Sequence, residues 1–400
     1  MKIEERDRPA RAPGGRGRAR RFWAVAYALL ILLTGTNLPT PLYRGYQERF
    51  GFSPLVVTLI FAAYVAVLIP SLLVAGPLSD AIGRRRVLLP AVVAAALGSA
   101  GFALVSDTGW LFVARVLQGL AVGMAAGPLT AALTELEPVG NHRKAALVST
   151  VVSVGGLGLG PVLAGVLAQY APAPHVLPFV LEIVLLLPAA LAIWMLPDAR
   201  TARWRPRRPE VPAAMRSLFA TSGTANFLAF AVIGLFLALI PTYVAALANS
   251  ANLLLGGGAV ALMLGFSAIV QLIAYGKPPH TLQRAGLPVL AAGLVLLAVA
   301  GGVSSLALLL VATALAGTGQ GLVFLGGLTA INHAAPADRR AEVLSSFYVV
   351  VYSGVGLPVI GVGLLATSIG LVPAVRAFAA VVAALCLIVL LALRRTPATS

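Results

Sequence analysis

Long apolar stretches separated by short polar gaps make up almost the whole chain. A membrane-spanning helix needs about 20 mostly apolar residues, and twelve stretches reach that length. The gaps are too short to hold a separate soluble domain. We expect spans at about residues 22–43, 54–75, 87–106, 109–134, 145–168, 176–196, 218–247, 254–275, 287–304, 306–331, 343–366 and 371–393.

Seven clusters of Arg and Lys fall at alternate gaps and hold 25 of the 29 basic residues. Loops rich in Lys and Arg stay on the cytoplasmic side of a membrane. The pattern therefore predicts a multi-pass protein of the cell membrane with both termini in the cytoplasm. The clusters are residues 2–21, 84–86, 143–144, 200–216, 277–284, 339–340 and 394–395.

Composition excludes a soluble globular protein. Charged residues make up 10% of the chain, against about 25% in typical soluble domains. The net charge of +16 would suggest nucleic acid as a partner in a soluble chain, but the loop asymmetry explains it, and we expect no nucleic-acid binding. The single cysteine, Cys386, excludes an intrachain disulfide, and no metal-ligand spacing is present.

The two halves of the chain repeat each other at an offset of 197–202 residues. Several matches in order indicate duplication, and two related six-helix bundles are a known transporter plan. The fold class is therefore all-α with twelve membrane helices in two pseudo-symmetric bundles. The expected divisions are a disordered tail 1–21, a first bundle 22–196, a linker 197–216, a second bundle 217–393 and a tail 394–400. The matches include Gln118-Gly119-Leu120 with Gln320-Gly321-Leu322, Arg143 with Arg340, and Pro161 with Pro358.

The gap between the second and third spans reads GPLSDAIGRRR over residues 76–86. It resembles the G-x-L-a-D-r-x-G-r-k signature of the major facilitator superfamily. A glycine permits close helix approach or a tight turn, and the aspartate can pair with an arginine of the same loop or cap a helix. We expect a conformational latch formed by Gly76, Asp80, Gly83, Arg84 and Arg85.

This latch departs from the family pattern in one place and is not repeated. Ala81 stands where the family usually has Arg, which leaves open which arginine pairs with Asp80. The second-half counterpart has His280 in place of Asp80. We therefore expect the latch in the first half alone.

The fourth span carries Leu111-x-x-x-Arg115-x-x-Gln118-Gly119, which resembles the family's second signature. A charge inside a membrane is costly unless it is paired or hydrated, and Arg115 lies about 9 Å from the end of its span at 1.5 Å per residue. It is either a cavity group that senses protonation or a structural arginine bound to carbonyls. The second half has Gly317 near the matching place.

The fifth span contains GLGLGPVLAG over residues 156–165. It resembles the G-x-x-x-G-P-x-x-G-G signature of the family's antiporters, with Ala164 in place of one glycine. Small residues at this spacing let helices touch, and proline removes a helical hydrogen bond. We expect a bendable seam between the halves at Gly156, Gly160, Pro161 and Gly165. A generic helix-packing patch is the alternative.

Glu182 is the acid that lies well inside a span, about six residues into the sixth. Burial disfavours the charged form of a carboxylate, so such a group can carry a proton. Proton coupling is therefore expected from Arg115, Glu182 or Asp80. Because the sixth helix of the resembled fold is peripheral, Glu182 could instead be a structural partner of Arg115 or reach the outer headgroups.

Polar residues of the first, fourth, seventh and tenth spans are the candidates for substrate contact. The first span has no acid, which weakens the case for cationic drugs. Its proline-rich end, residues 37–43, should break the helix and expose backbone groups. The candidates are Thr36, Asn37, Gln118, Asn226, Tyr243 and Gln320.

The resemblance implies a secondary transporter that works by alternating access and is not an enzyme. It implies a proton gradient as the energy source, no cofactor, a small organic substrate such as a drug or metabolite, and a monomer in the lipid bilayer. The antiporter-type signature favours export. A proton-coupled uptake symporter or a facilitator remains the alternative.

Overall fold

A computed structural model describes residues 15–196, 209–250 and 252–395. The described residues form fourteen α-helices and no strand, and twelve helical segments are long and apolar enough to cross a membrane. The predicted number of spans is thus confirmed. The first half comprises α1 (Gly15–Asn37), α2 (Tyr43–Phe50), α3 (Pro54–Ile82), α4 (Arg84–Ala103), α5 (Thr108–Leu136), α6 (His142–Tyr170) and α7 (Leu177–Trp194). The second comprises α8 (Arg216–Ala238), α9 (Ile240–Ala248), α10 (Leu253–Ile273), α11 (Pro279–Val303), α12 (Leu306–Ala334), α13 (Arg340–Ile369) and α14 (Leu371–Arg395).

The first and seventh spans are each divided by a proline-containing break. Helix α1 ends at Asn37, and a short 3-10 turn at Thr40–Leu42 leads into α2. Helix α8 ends at Ala238, and α9 follows with Pro241 in its first turn. Proline lacks the N–H that a helix interior requires. The break in the first span was predicted, whereas the seventh span was expected to be continuous.

Three boundaries differ from those expected. Helix α1 begins at Gly15, inside the segment predicted to be a disordered tail, and Arg18 donates a hydrogen bond to the carbonyl of Glu135 at 2.7 Å. Helix α3 continues to Ile82, so most of the latch signature is helical and only Gly83, with φ of 99°, makes the turn. Residues 197–208 of the predicted linker lie outside the described part of the chain.

The two halves pack by the same scheme. Helix α1 contacts α5, α6 and α7, and α8 contacts their counterparts α12, α13 and α14. Helices α3 and α5 pair in the first half as α10 and α12 do in the second. The main contacts between the halves are reciprocal, α3 with α13 and α6 with α10. This exchange is the pseudo-twofold arrangement expected from the sequence repeat.

The bundle has two ends, which we call the basic face (the end where α1 begins and α3 ends) and the opposite face. Hydrogen bonds join the halves near the opposite face. They run from Arg44 Nη1 to Ser250 O at 3.2 Å, from Leu253 N to Gln169 Oε1 at 3.1 Å, and from Leu55 N to Thr367 Oγ1 at 3.1 Å. At the basic face, the ion pairs between described residues each stay within one half: Arg84 with Glu135, Lys144 with Glu137, and Arg339 with Glu210 and Glu342.

Candidate functional site

The end of α1 offers backbone carbonyls to α5. Because Pro39 has no N–H, the carbonyl of Gly35 lacks the donor that a continuous helix would supply four residues on. Gln118 Nε2 donates to this carbonyl at 3.1 Å, and Arg115 Nη1 donates to the carbonyl of Thr36 at 2.7 Å. Arg115 Nη1 also donates to Gln118 Oε1 at 2.9 Å. The predicted helix break and the predicted arginine signature therefore meet in one cluster.

Arg115 is fully buried, with 0% exposure. Its Nε donates to the hydroxyl of Tyr43 at 2.6 Å. Four aromatic rings surround the guanidinium with centroids 5.3–5.8 Å from Cζ, namely those of Tyr43, Phe61, Tyr64 and Phe102. No carboxylate of the described residues lies within ion-pair distance of Arg115, and Nη2 has no hydrogen-bond partner. Arg115 is thus a buried cation held by neutral groups.

Glu182 also contacts the α1 end, at Gly35. It is 3% exposed and accepts a hydrogen bond from the hydroxyl of Ser99 on α4. A Cβ on Gly35 would overlap its carboxylate, so a larger residue there would require the Glu182 side chain to move. Two expectations are corrected: Glu182 neither pairs with Arg115 nor reaches the headgroups, because α7 turns it inward against α1 and α4.

The glycine-rich segment of α6 has two faces, not one seam. Within the first half, a Cβ on Gly156 would come within 2.6 Å of the Leu30 carbonyl of α1, and one on Gly160 would overlap the carbonyl of Thr34. On the other face, a Cβ on Gly165 would lie 3.1 Å from Leu253 of α10. The expectation of a seam purely between the halves is therefore corrected.

Helix α6 thus connects the site to the second half. The carbonyl of Pro161 fills the space beside Gly257 of α10, and Asn37 at the end of α1 donates to the carbonyl of Leu157 at 3.0 Å. Any movement of the α1 end must therefore be accommodated by α6, and through α6 by α10.

The latch residues are placed differently from expectation. Arg84 forms a two-pronged ion pair with Glu135 on α5, at 2.6 and 2.5 Å, and Arg85 stacks over Trp194 at 3.4 Å. Among the described residues, no ion pair reaches the half-buried Asp80, and the helix cap at Gly83 receives no side-chain bond. A Cβ on Gly76 would meet no atom within 4 Å, so Gly76 makes no close helix contact.

All six predicted substrate contacts are buried and already bound to the protein. Arg115 and Gln118 form the cluster above, and the remaining polar groups hold neighbouring turns or helices together. The bonds are Thr36 Oγ1 to Leu32 O at 3.0 Å, Asn37 Nδ2 to Leu157 O at 3.0 Å, Asn226 Nδ2 to Ser222 O at 2.9 Å, Tyr243 hydroxyl to Leu297 O at 3.3 Å, and Ser267 Oγ to Gln320 Oε1 at 2.6 Å.

The residues that sequence reasoning missed are tyrosines at the contact between α3 and α13. Tyr348 and Tyr352 stack on α13 with ring centroids 6.3 Å apart. The ring of Tyr64 on α3 lies 5.7 Å from Cζ of Arg115, and α3 meets α13 beside it, where a Cβ on Gly356 would lie 3.2 Å from Val65. Their spacing on α13, four residues apart, is the signal that places both rings on one helix face.

Comparison with known proteins identifies the family. The family model described as "Major Facilitator Superfamily" matches residues 24–356. The chain belongs to this superfamily. The predicted membership is thereby confirmed, and with it the inference that the protein is a transporter and not an enzyme.

A stretch of the chain resembles curated bacterial members of the superfamily. It is 33% identical over 153 residues to a protein of Salmonella newport (strain SL254) named "Putative multidrug resistance protein MdtD", and 31% identical over 153 residues to the protein of that name from Escherichia coli O6:K15:H31. The match covers 38% of this chain and 32% of each relative. The matched stretch thus spans about a third of the length of these relatives.

Solved transporter structures share the fold over almost the whole chain. A peptide transporter POT in complex with sulfate superposes with a TM-score of 0.77 at 15% identity, covering 96% of this chain and 95% of that one. A bacterial homolog of the human lysosomal transporter Spinster, inward-facing and occupied, gives 0.72 at 13% identity and covers 94% and 96%. At these identities the likeness shows the fold alone.

Proposed function

We propose that this superfamily transporter is a proton-coupled exporter of small organic compounds in the cell membrane, with the basic face in the cytoplasm. The observation that carries proton coupling is Glu182: a buried carboxylate, hydrogen-bonded to Ser99 and without a cationic partner among the described residues. Export is supported by the drug-resistance name of the partial relatives and by the antiporter-type segment of α6.

A carboxylate in these surroundings can exchange a proton because its charged form has no compensating cation. The desolvation of a charge is costly in a low-dielectric interior, whereas the neutral acid keeps its hydrogen bond with Ser99. Glu182 is also the acid that the described spans hold deepest. A proton that binds or leaves here changes a full charge beside Gly35.

The end of α1 can transmit that change. Glu182 touches Gly35, Arg115 binds the next carbonyl at Thr36, and Gly160 packs on the carbonyl of Thr34. A shift of the α1 residues Thr34, Gly35 and Thr36 therefore reaches α6. Helix α6 contacts α10 of the second half and carries the shift there. Coupling in this proposal passes through the helix that separates the acid from the arginine.

The contacts between the halves fit one state of an alternating-access cycle. Among the described residues, the hydrogen bonds given above between the halves lie at the opposite face, while the ion pairs given above for the basic face stay within each half. With the basic face in the cytoplasm, as its arginines favour, this arrangement is inward-facing. Export then requires the opposite-face hydrogen bonds to break after substrate has bound.

The test is proton movement in inverted membrane vesicles that hold a respiration-driven gradient. Amphipathic drugs, sugars and amino acids are added one at a time, and we expect one of these classes to release protons only when the protein is present. Glu182→Gln should reduce this release at least about tenfold, the effect of a 1.4 kcal/mol change. Asp338→Asn, which neutralises an exposed loop acid, should leave it unchanged.

Two results would contradict the proposal. Full proton release from Glu182→Gln would remove this acid from coupling. Substrate entry that carries protons into the vesicles would indicate the symporter. Substrate flux that is unchanged by a protonophore would indicate the facilitator.

A further inference from the structure

No negative charge among the described residues balances the positive charge of Arg115. The guanidinium is fully buried, and its three hydrogen bonds go to a hydroxyl, a backbone carbonyl and an amide, none of them charged. Removing an uncompensated cation from water costs several kcal/mol even after relaxation, by the order of magnitude given for buried ions. The nearest buried acid, Glu182, is bound to Ser99 across α1 and is not an ion-pair partner of Arg115.

One nitrogen of the guanidinium, with its two N–H donors, is also unused. Arg115 Nη2 is buried and has no hydrogen-bond partner. Arg groups bind carboxylates and phosphates through paired N–H donors, so a free Nη2 can provide an anchoring bond to an anionic group. A water molecule would satisfy this hydrogen bond, but it would leave the charge uncompensated.

The groups beside the arginine are aromatic. The rings of Phe61 and Tyr64 lie 5.8 and 5.7 Å from Cζ. On α13, which packs against α3, Tyr352 stacks with Tyr348 one turn nearer the basic face. Three tyrosines therefore lie on the two helices of the α3–α13 contact, and Tyr64 reaches the arginine.

We propose that the substrate of this transporter is an organic anion, a carboxylate carried on an aromatic or flat apolar body, and that Arg115 Nη2 binds the carboxylate while Tyr64, Tyr348 and Tyr352 contact the body. This inference rests on the proposed transport function. It predicts a substrate class opposite in charge to the cationic drugs whose usual acidic contact is missing from the first span.

The second half has no buried arginine at the position equivalent to Arg115, so a single anionic group would balance the charge of the site. Its counterpart of Arg115 is Gly317, where a Cβ would overlap the backbone carbonyl of Met263 on α10. The repeat-related Gln320 binds Ser267 and no cation. The described residues of this region thus offer a single positive group, on one side of the contact between the halves.

The test uses the purified full-length chain in nanodiscs and two probes of nearly equal shape, 2-naphthoate and its neutral amide, 2-naphthamide. Calorimetric titration should show naphthoate binding at least about tenfold more tightly, the size of one charge-assisted hydrogen bond. Arg115→Gln should abolish this preference. Arg49→Gln, which removes an exposed arginine of the same half, should retain it.

A second variant and a second ligand complete the binding test. If Arg115→Gln does not give a monodisperse protein, Arg115→Lys should bind naphthoate several-fold more weakly than the wild type, since an ammonium lacks the planar fork. A titration with sodium chloride tests an inorganic anion as the occupant. Equal affinity for the two probes, a preference that survives in Arg115→Gln, or Arg115-dependent binding of chloride without naphthoate would each overturn the inference.

Failure here is distinguishable from failure of the transport proposal. Proton release triggered by neutral or cationic compounds, with no naphthoate binding, would support export and overturn the anion site. Naphthoate binding through Arg115 without any proton movement would support the site and contradict proton coupling.

Discussion

The two halves carry a repeat-related glutamine at equivalent positions of α5 and α12, and the two glutamines have different hydrogen-bond partners. In the first half, Gln118 binds Arg115 and the carbonyl of Gly35 at the broken end of α1. In the second half, Gln320 accepts a hydrogen bond from the hydroxyl of Ser267 on α10. The same hydroxyl accepts a hydrogen bond from Gln271 Nε2 at 3.0 Å. The first cluster contains a charge and joins α1, α2 and α5, whereas the second is neutral and joins α10 and α12.

The difference follows from one residue on each helix. Gly317 lets α12 approach α10 until a Cβ would overlap the backbone of Met263. At the related place α5 carries Arg115, and its close approach to α3 lies one turn on, at Gly119, where a Cβ would overlap the Tyr64 carbonyl. The repeated frame can therefore support either a close helix contact or a buried charge. In our proposals the first half carries the proton and binds the carboxylate of the substrate, and the second half contributes α13 tyrosines to the substrate body.

The largest expected effect comes from Gly160→Leu. A side chain here must overlap the carbonyl of Thr34, so α1 and α6 must separate and the arginine cluster loses its support. We expect transport to be abolished while the protein still inserts, measured as vesicle flux and membrane yield. Gly155→Leu is the matched control, because this exposed glycine of the same helix meets only one side-chain atom near 4 Å. Full flux from Gly160→Leu would separate α6 from the mechanism.

The one-sided latch is tested by Asp80→Asn against His280→Asn, which lie 200 positions apart. Because Asp80 has no ion-pair partner among the described residues in this state, its loss should cost little stability and instead slow the cycle. We expect turnover to fall several-fold in Asp80→Asn with substrate binding retained, and no change in His280→Asn. Equal turnover in the two variants would show that the latch signature has no role in cycling.

The two glutamine clusters should differ in stability. Gln118→Leu deprives a buried arginine of an acceptor, and hydrogen bonds to charged groups contribute roughly 1.5–3 kcal/mol. Gln320→Leu leaves Ser267 with the donor of Gln271, so we expect about 0.6–1 kcal/mol, in the range found for neutral bonds between membrane helices. Thermal unfolding of both variants in one detergent measures the difference. Equal losses would mean that the charge adds nothing to the cluster.

The smallest expected effect concerns loops of the basic face. Burial alone would raise the pKa of Glu137, but the N–H groups of Asn141 and Val139, at 2.7 and 2.8 Å, and Lys144 together hold this pKa below the usual 4.5. The stability that Glu137 contributes is therefore present above about pH 4.5 and is lost as the pH falls through the lower, folded-state value.

Comparison of wild type with Glu137→Gln by thermal unfolding should show a gap near pH 7 that closes in acid. The corresponding loop of the second half depends on Arg339, which pairs with Glu210 at 2.7 Å and Glu342 at 3.1 Å. These partly exposed pairs should weaken with added salt. A gap for Glu137→Gln that is the same at pH 7 and in strong acid would contradict the assignment of its pKa.

Much of the architecture could be predicted because it follows from local composition. Apolar runs of span length fix the twelve crossings, basic clusters indicate the faces, and prolines fix the break after Asn37. The repeat predicted the paired bundles. The extents of α1 and α3 could not be predicted, because Arg-rich and Asp-containing turns continue a helix where neighbouring helices supply partners, as Glu135 does for Arg18.

The sequence by itself determined the span count, the duplicated halves and the presence of one deep cation and one deep acid. Only the tertiary structure decided how these groups are used: Arg115 and Glu182 both contact the α1 end without pairing with each other, and the six polar candidates bind the protein itself. The physical reason is that hydrophobicity is summed along a chain, whereas ion pairing depends on angstrom-scale distances between helices that the sequence does not specify.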